Sequence, residues 1–181
     1  PAAWGALQAR LGARGARSCA YDGGGLGQSD PGPRPRDGLA VASDFEKMLA
    51  ASGEPGPYIY VGHSMAGLYG RLFAGRNPDK VAGLVLVDAA TPEAADSPIA
   101  RTWIGRFGTA SKLAGWTAST GLFKPVSPWM GDRIGLPAEA ARDKRRAFAS
   151  GAHNRWSAEE VTQWLTASKQ AADLPGYDPA G

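Results

Sequence analysis

Ser64 stands in Tyr60-Val61-Gly62-His63-Ser64-Met65-Ala66-Gly67-Leu68, where a short apolar run meets small residues on both sides of a single hydroxyl. A serine hydroxyl is a weak nucleophile at neutral pH, so chemistry there needs exposure, a base and nearby backbone N–H donors. A strand-to-helix turn supplies exposure and one donor together, with Ser64 at a strained apex and the Met65 N–H, at the helix start, aimed at an oxyanion. Gly62 and Ala66, two positions either side, leave that bend room. The pattern departs from G-x-S-x-G at one place, Ala66, with Gly67 following. The bland alternative is a serine N-cap at a glycine-rich helix start. The surrounding elements favour the nucleophile.

Those elements alternate. Ser18 to Asp22 reads as a short strand that ends in the loop Gly23-Gly24-Gly25-Leu26-Gly27-Gln28-Ser29-Asp30. Leu39, Ala42, Phe45, Met48 and Leu49 recur at helical spacing behind Asp37, an N-cap candidate, and stop at Gly53. Tyr58 to Val61 is a second strand. The helix after Ser64 carries Gly67, Gly70 and Ala74, small enough to pack closely on a sheet, and ends before Asn77-Pro78. Val81 to Val87 is a nearly unbroken apolar run ending at Asp88, the pattern of a strand buried on both faces. Strands alternating with helices predict a parallel α/β sheet.

Three segments resemble the α/β-hydrolase fold, in its lid-bearing branch of serine hydrolases and esterases. Tyr21-Asp22 through Gly25-Leu26-Gly27-Gln28-Ser29-Asp30 is similar to the loop after that family's fourth strand, Val61 to Gly67 to its nucleophile elbow, and Pro78 to Asp88 to its sixth strand. They lie in the family's order over the first half of the chain. The resemblance implies a partial parallel sheet over residues 1–95, carrying the elbow, and a helical lid with the start of the return to the core over 96–181. It also implies that the first three strands, the second oxyanion donor, and the usual acid and histidine belong to a longer parent. The chain then reads as an incomplete sheet and an incomplete catalyst. Gly23-Gly24 and Ala66 depart from the residues usual in the family.

The same resemblance weighs the triad candidates. His63 adjoins the nucleophile, where a side chain points away from the hydroxyl, so a structural or substrate-lining role is expected. His153, in Gly151-Ala152-His153-Asn154-Arg155-Trp156 ahead of the capping box Ser157-x-x-Glu160, is not expected to be the base. Asp88 ends the strand beside the elbow strand, a position from which some relatives supply the acid; the alternative is an aspartate bonding its own turn. Asp22 is expected to be structural.

From Asp96 to Ala172 the sequence turns helical and rich in tryptophan: Trp103, Trp116, Trp129, Trp156 and Trp164, with Phe107, Leu113, Leu122, Phe123 and Ile134. Val161, Trp164, Leu165 and Ala172 can share one helix face. Most of these side chains read as core. A lid over Ser64 leaves some facing the pocket, which favours a small-molecule substrate with an apolar acyl or alcohol part.

Other chemistries fail on spacing. Gly62 and Gly67 match the glycines of a phosphate loop, but Leu68-Tyr69 stands where lysine and a hydroxyl are required. Gly23 to Gly27 does not satisfy the dinucleotide pattern G-x-G-x-x-G. His63, His153 and Cys19 show no metal-ligand spacing, so neither metal nor cofactor is expected. Across 181 residues, 20 basic against 17 acidic side chains leave a net charge of only +3. The cluster Arg142, Lys144, Arg145 and Arg146 reads as a solvated helix face, so no nucleic-acid partner is expected. The single cysteine, Cys19, is expected as a buried thiol in its strand. No apolar run reaches membrane-spanning length, and a cytoplasmic location is the expectation.

Overall fold

The computed structural model describes residues 2–122, 125 and 135–175. Phe123, Trp129, Ile134 and the turn-rich tail from 176 lie outside the described residues. The chain divides into two compact units, each built from two stretches: Pro1–Pro31 with Ala110–Ala158, and Gly32–Thr109 with Glu159–Gly181. The boundary expected at 95/96 falls inside the second of these.

That second unit holds the sheet. Helix α2 (Gly38–Ser52) begins where the Asp37 carboxylate accepts from the Ala40 N–H and stops where Gly53 adopts a left-handed conformation, φ 66. Both ends match the local sequence signals, because cap chemistry is set by the residue at the cap. Strand β1 (Tyr58–Ser64) leads into helix α3 (Ala66–Arg76), and β2 (Val81–Ala89) pairs with β1 in parallel. Successive strand side chains alternate faces. Tyr58 and Tyr60 therefore turn toward a core of Val41 and Ala42 from α2, Leu68, Tyr69, Leu72 and Phe73 from α3, and Ala167 and Ala171 from helix α7 (Trp164–Ala172), and a register shift at the Tyr58–Ile59 step lets Val81 join them. Leu68, Leu72 and Phe73 are almost fully buried, each contributing about 1.5–3 kcal/mol. Phe45 meets Phe73 and Tyr60 edge-on, with ring centroids 4.9 and 5.4 Å apart.

The other sheet face is open. Ile59 and Val61 on β1 and Val85 and Val87 on β2 are exposed, which corrects the expectation that Val81 to Val87 is buried on both faces. The apolar run is the right composition for a doubly covered strand, yet among the described residues the side chains of α2, α3 and α7, with Val161, cover it from one side.

The first unit contains a single turn of 3-10 helix at Ala2–Trp4, helix α1 (Gly5–Gly12), the loop through Asp30, helix α5 (Ala138–Ala149) and parts of helices α4 (Pro98–Ser119) and α6 (Gly151–Thr162). Residues 16–22 form no strand and Cys19 is exposed. Both departures have one cause: a strand exists only as part of a ladder, and among the described residues this segment pairs with none. The capping box at Ser157-x-x-Glu160 is likewise not used. Helix α6 begins seven residues earlier, where the Ser150 hydroxyl accepts from the His153 N–H at 3.2 Å, so His153 lies within the helix and not ahead of it. Helices α6 and α7 break at Gln163, and the buried face of α7 is Ala167, Ser168 and Ala171; Leu165 and Ala172 are exposed.

Candidate functional site

Gly62 is the residue that lets β1 turn into α3. A Cβ there would stand 2.8 Å from the Ala66 carbonyl oxygen and 2.9 Å from the Tyr60 ring, contacts that backbone and a packed aromatic cannot relieve cheaply. Tyr60 is itself fixed, its hydroxyl donating to the Ala66 carbonyl at 3.0 Å. On the far side of the turn, a Cβ at Gly67 would stand 2.6 Å from the Ala89 methyl and 3.0 Å from the Ala90 carbonyl. Small residues thus hold α3 against both strands, with the serine between them.

Ser64 closes β1 with φ 55, in the left-handed region, and its carbonyl accepts from the Ala90 N–H at 2.9 Å. Met65 follows with φ −57 and ψ −22 at the N-cap of α3; it is buried, and its carbonyl accepts from the Leu68 N–H at 3.0 Å. A left-handed non-glycine residue costs on the order of 1–3 kcal/mol and persists where its neighbours over-determine it. Here the flanking strand pairing and the helix do so. The arrangement places a hydroxyl at the carboxyl end of a parallel strand and at the positive end of a helix, where ligands of open α/β sheets bind and where negative charge is stabilised.

Asp88 shares this edge. It is exposed, has φ 44, and occupies the bulge by which His63 pairs with Val87 but Ser64 pairs with Ala89. His63 follows Ile59 and Val61 on the open face of the sheet and is exposed. The concavity lined by Glu46, Glu54, Tyr58 and Lys80 lies at the opposite end of the strands, away from Ser64.

Asp22 and His153 belong to the other unit, where they hold the glycine-rich loop. The Asp22 carboxylate accepts from the Gln28 N–H at 3.3 Å, and its carbonyl accepts from the Ser29 hydroxyl at 2.6 Å. His153 Nδ1 accepts from the Gly27 N–H at 2.9 Å. Burial lowers the His153 pKa while the Asp22 charge opposes the shift, so the ring is held neutral as the acceptor role requires. Gly25, φ 78, lies where the Trp156 ring packs, and a side chain there would overlap it. Among the described residues no group of three or more His, Cys, Asp or Glu side chains could hold a metal ion.

Sequence reasoning missed one cluster. Arg36 is completely buried and donates to Asp44 at 2.5 Å and to Glu160 at 3.4 Å. Burial raises the Glu160 carboxyl above its ordinary range, with Arg36 pulling the other way. Burial also raises the Tyr69 phenol, which feels the Glu160 charge although its hydroxyl falls short of hydrogen-bond geometry. For Arg36 itself burial opposes the charge, and the two carboxylates outweigh it. Arg36 and Glu160 are 124 residues apart, so no local pattern signals them.

The chain is 27% identical over 151 residues to an uncharacterized protein of Schizosaccharomyces pombe, covering 83% of this chain and 26% of that protein. It is 41% identical over 75 residues to a probable transporter of Hormonema carpetanum, covering 39% of this chain and 11% of the relative. It is 35% identical over 74 residues to an uncharacterized vacuolar membrane protein of Saccharomyces cerevisiae, covering 40% of this chain and 12% of the relative. The chain therefore spans about a quarter or less of the length of these relatives. No solved structure matches. The model of the alpha/beta hydrolase fold matches residues 2–120, the stretch that contains both strands, the Ser64 turn and Asp88, and the chain belongs to the α/β-hydrolase fold family.

Proposed function

We propose that the chain carries the nucleophile of a serine hydrolase that acts on a carboxylic ester or related acyl substrate. The observation that carries this reading is the left-handed backbone of Ser64 at the junction of β1 and α3. In the mechanism, Ser64 Oγ gives its proton to a base and attacks the substrate carbonyl, the Met65 N–H donates to the developing oxyanion, the adduct collapses with loss of the protonated alcohol, and water then cleaves the acyl–Ser64 ester to release the acid and restore the hydroxyl. Asp88 is the candidate acid, at the carboxyl end of the neighbouring strand. The base is not assigned within this chain: His63 lies on the open sheet face, and His153 Nδ1 is engaged by the Gly27 N–H. Residues 1–95 serve as the core and 96–181 as the lid and the start of the return to the core in this reading, and the tryptophans of the second half favour an apolar acyl or alcohol part in the substrate.

Two other readings share the fold. The same site supports acyl transfer, or a cofactor-free peroxidase or lyase reaction, and the fold is also compatible with a binding module. Treating the intact parent protein with a fluorophosphonate separates them. Labelling of Ser64 that is lost in Ser64→Ala, with p-nitrophenyl ester turnover, supports the hydrolase; alcohol acceptors outcompeting water redirect it to acyl transfer. An unreactive Ser64 in a folded protein leaves the binding module.

A further inference from the structure

Helix α6 grips the glycine-rich loop Gly23 to Asp30 at two neighbouring points. Gly25 lies under the Trp156 ring, and Gly27 donates its N–H to His153 Nδ1 at 2.9 Å. His153 and Trp156 are three residues apart, so both stand on one face of the helix. Other turns of the loop close within it. The Gly25 N–H donates to the Asp30 carbonyl at 2.7 Å, the Leu26 N–H to the Gly23 carbonyl at 2.8 Å, and the Ser29 N–H to the Leu26 carbonyl at 2.9 Å. The Gln28 N–H goes to Asp22, at the loop's base. Gly27 is where the loop's backbone bonds to a residue 126 positions away. Its φ of 54, with the Asp22 carboxylate standing where a Cβ would go, fits glycine alone.

The two holds differ in chemistry. The Trp156 contact has no proton to gain, whereas the His153 bond exists only for the neutral ring. An imidazolium carries hydrogen on both nitrogens, so on protonation Nδ1 becomes a donor facing the Gly27 N–H, and the two must part. The helix side is fixed, because His153 sits in the first turn of α6 with its own N–H on the Ser150 hydroxyl. On the loop side four of the eight residues are glycine, so it is the loop that yields. The charges that face the ring set when this happens. Burial keeps the proton off the ring, the Asp22 carboxylate draws it on, and the amino-terminal charge adds to burial. Arg155, on the same helix, donates instead to the Ser119 hydroxyl. Accepting from Gly27 itself favours the neutral ring. The proton therefore arrives in mild acid, the range in which histidine acts as a switch.

We propose that His153 is a proton-operated latch on the Gly23–Asp30 loop: the neutral ring holds the loop to α6 at Gly27, and a proton on Nδ1 frees it while the loop's own turns persist. The latch stands independently of any chemistry at Ser64. The test is nuclear magnetic resonance on the full chain across pH 7.5 to about 5, following the His153 ring, the Trp156 indole N–H and the exchange protection of loop amides corrected for the intrinsic effect of pH. The expected result is a Gly27 protection that falls with the same midpoint as the ring titrates, below 6.5, and is about tenfold lower one pH unit beneath that midpoint. The Trp156 resonance should shift in step, while the Leu26 and Ser29 amides keep their protection. His153→Asn has an acceptor where Nδ1 stands and no proton to gain, so its Gly27 protection should not vary with pH. Asp22→Asn still offers Gln28 an acceptor but removes the charge that draws the proton on, and should move ring and amide midpoints together to lower pH. A Gly27 protection that stays level while His153 titrates would overturn the proposal, as would an unchanged pH response in His153→Asn. So would Leu26 and Ser29 losing protection together with Gly27, which assigns the change to unfolding of the whole loop.

Discussion

Asp88 sits in the bulge of β2 opposite the His63–Ser64 step of β1, so that the two non-glycine residues of positive φ among the described residues close adjacent parallel strands. Removing Cβ removes the strain. Ser64→Gly and Asp88→Gly should each raise the free energy of unfolding by about 1 kcal/mol in urea titrations, whereas Ser64→Ala, which keeps a Cβ, should gain little. Asp88→Asn keeps the side-chain shape; if Asp88 is the acid, ester turnover in the parent should fall by orders of magnitude with stability unchanged.

Residues that act locally were legible and residues that act at a distance were not. Asp37 and Gly53 bound α2 because a cap depends on the few residues around it, and Gly62 with Ala66 marks the turn for the same reason. Tyr58 to Val61 and Val81 to Val87 read as strands from composition alone. Ser18 to Asp22 carries a weaker strand pattern, and its fate depends on a ladder partner that its own residues do not encode. At α6 two serines compete as caps, and the helix starts after Ser150 and runs through Ser157. The Arg36 cluster has no sequence signature.

Tyr60 and Gly62 support the Ser64 turn in different ways, and their substitutions should differ accordingly. Tyr60→Phe keeps the ring against Phe45 and Phe73 but leaves the Ala66 carbonyl without its donor, a loss of about 1 kcal/mol. Gly62→Ala forces Ala66 away and should cost about 1–3 kcal/mol. Of the two, only Gly62→Ala should also lower phosphonate labelling of Ser64 in the parent, because it moves the turn itself.

Arg36 is worth more as a partner than as a charge. Its guanidinium is the cation between Asp44 and Glu160, so Arg36→Met leaves two carboxylates facing each other in a poorly solvated place. A loss of about 3–5 kcal/mol in urea unfolding is expected. Arg36→Lys keeps the charge but not the two-pronged donor geometry, and should recover only part of that loss.

His153 and Glu160 titrate with opposite consequences. The folded-state pKa of His153 lies below its ordinary 6.5, so the fold binds that proton less tightly than the unfolded chain does, and stability is lost as pH falls below about 6.5. Protonating Nδ1 also turns it from acceptor to donor opposite the Gly27 N–H. Glu160 lies above its ordinary 4.5; its contribution is fullest below that value and declines as pH rises through the raised one. The stability of wild type relative to His153→Gln should therefore fall on acidification, and that of wild type relative to Glu160→Gln should fall on going from about pH 4 to 7. Urea midpoints across that range check both. Two difference curves of the same sign would show that one of the two groups is solvated in the folded chain and does not carry the interaction assigned to it.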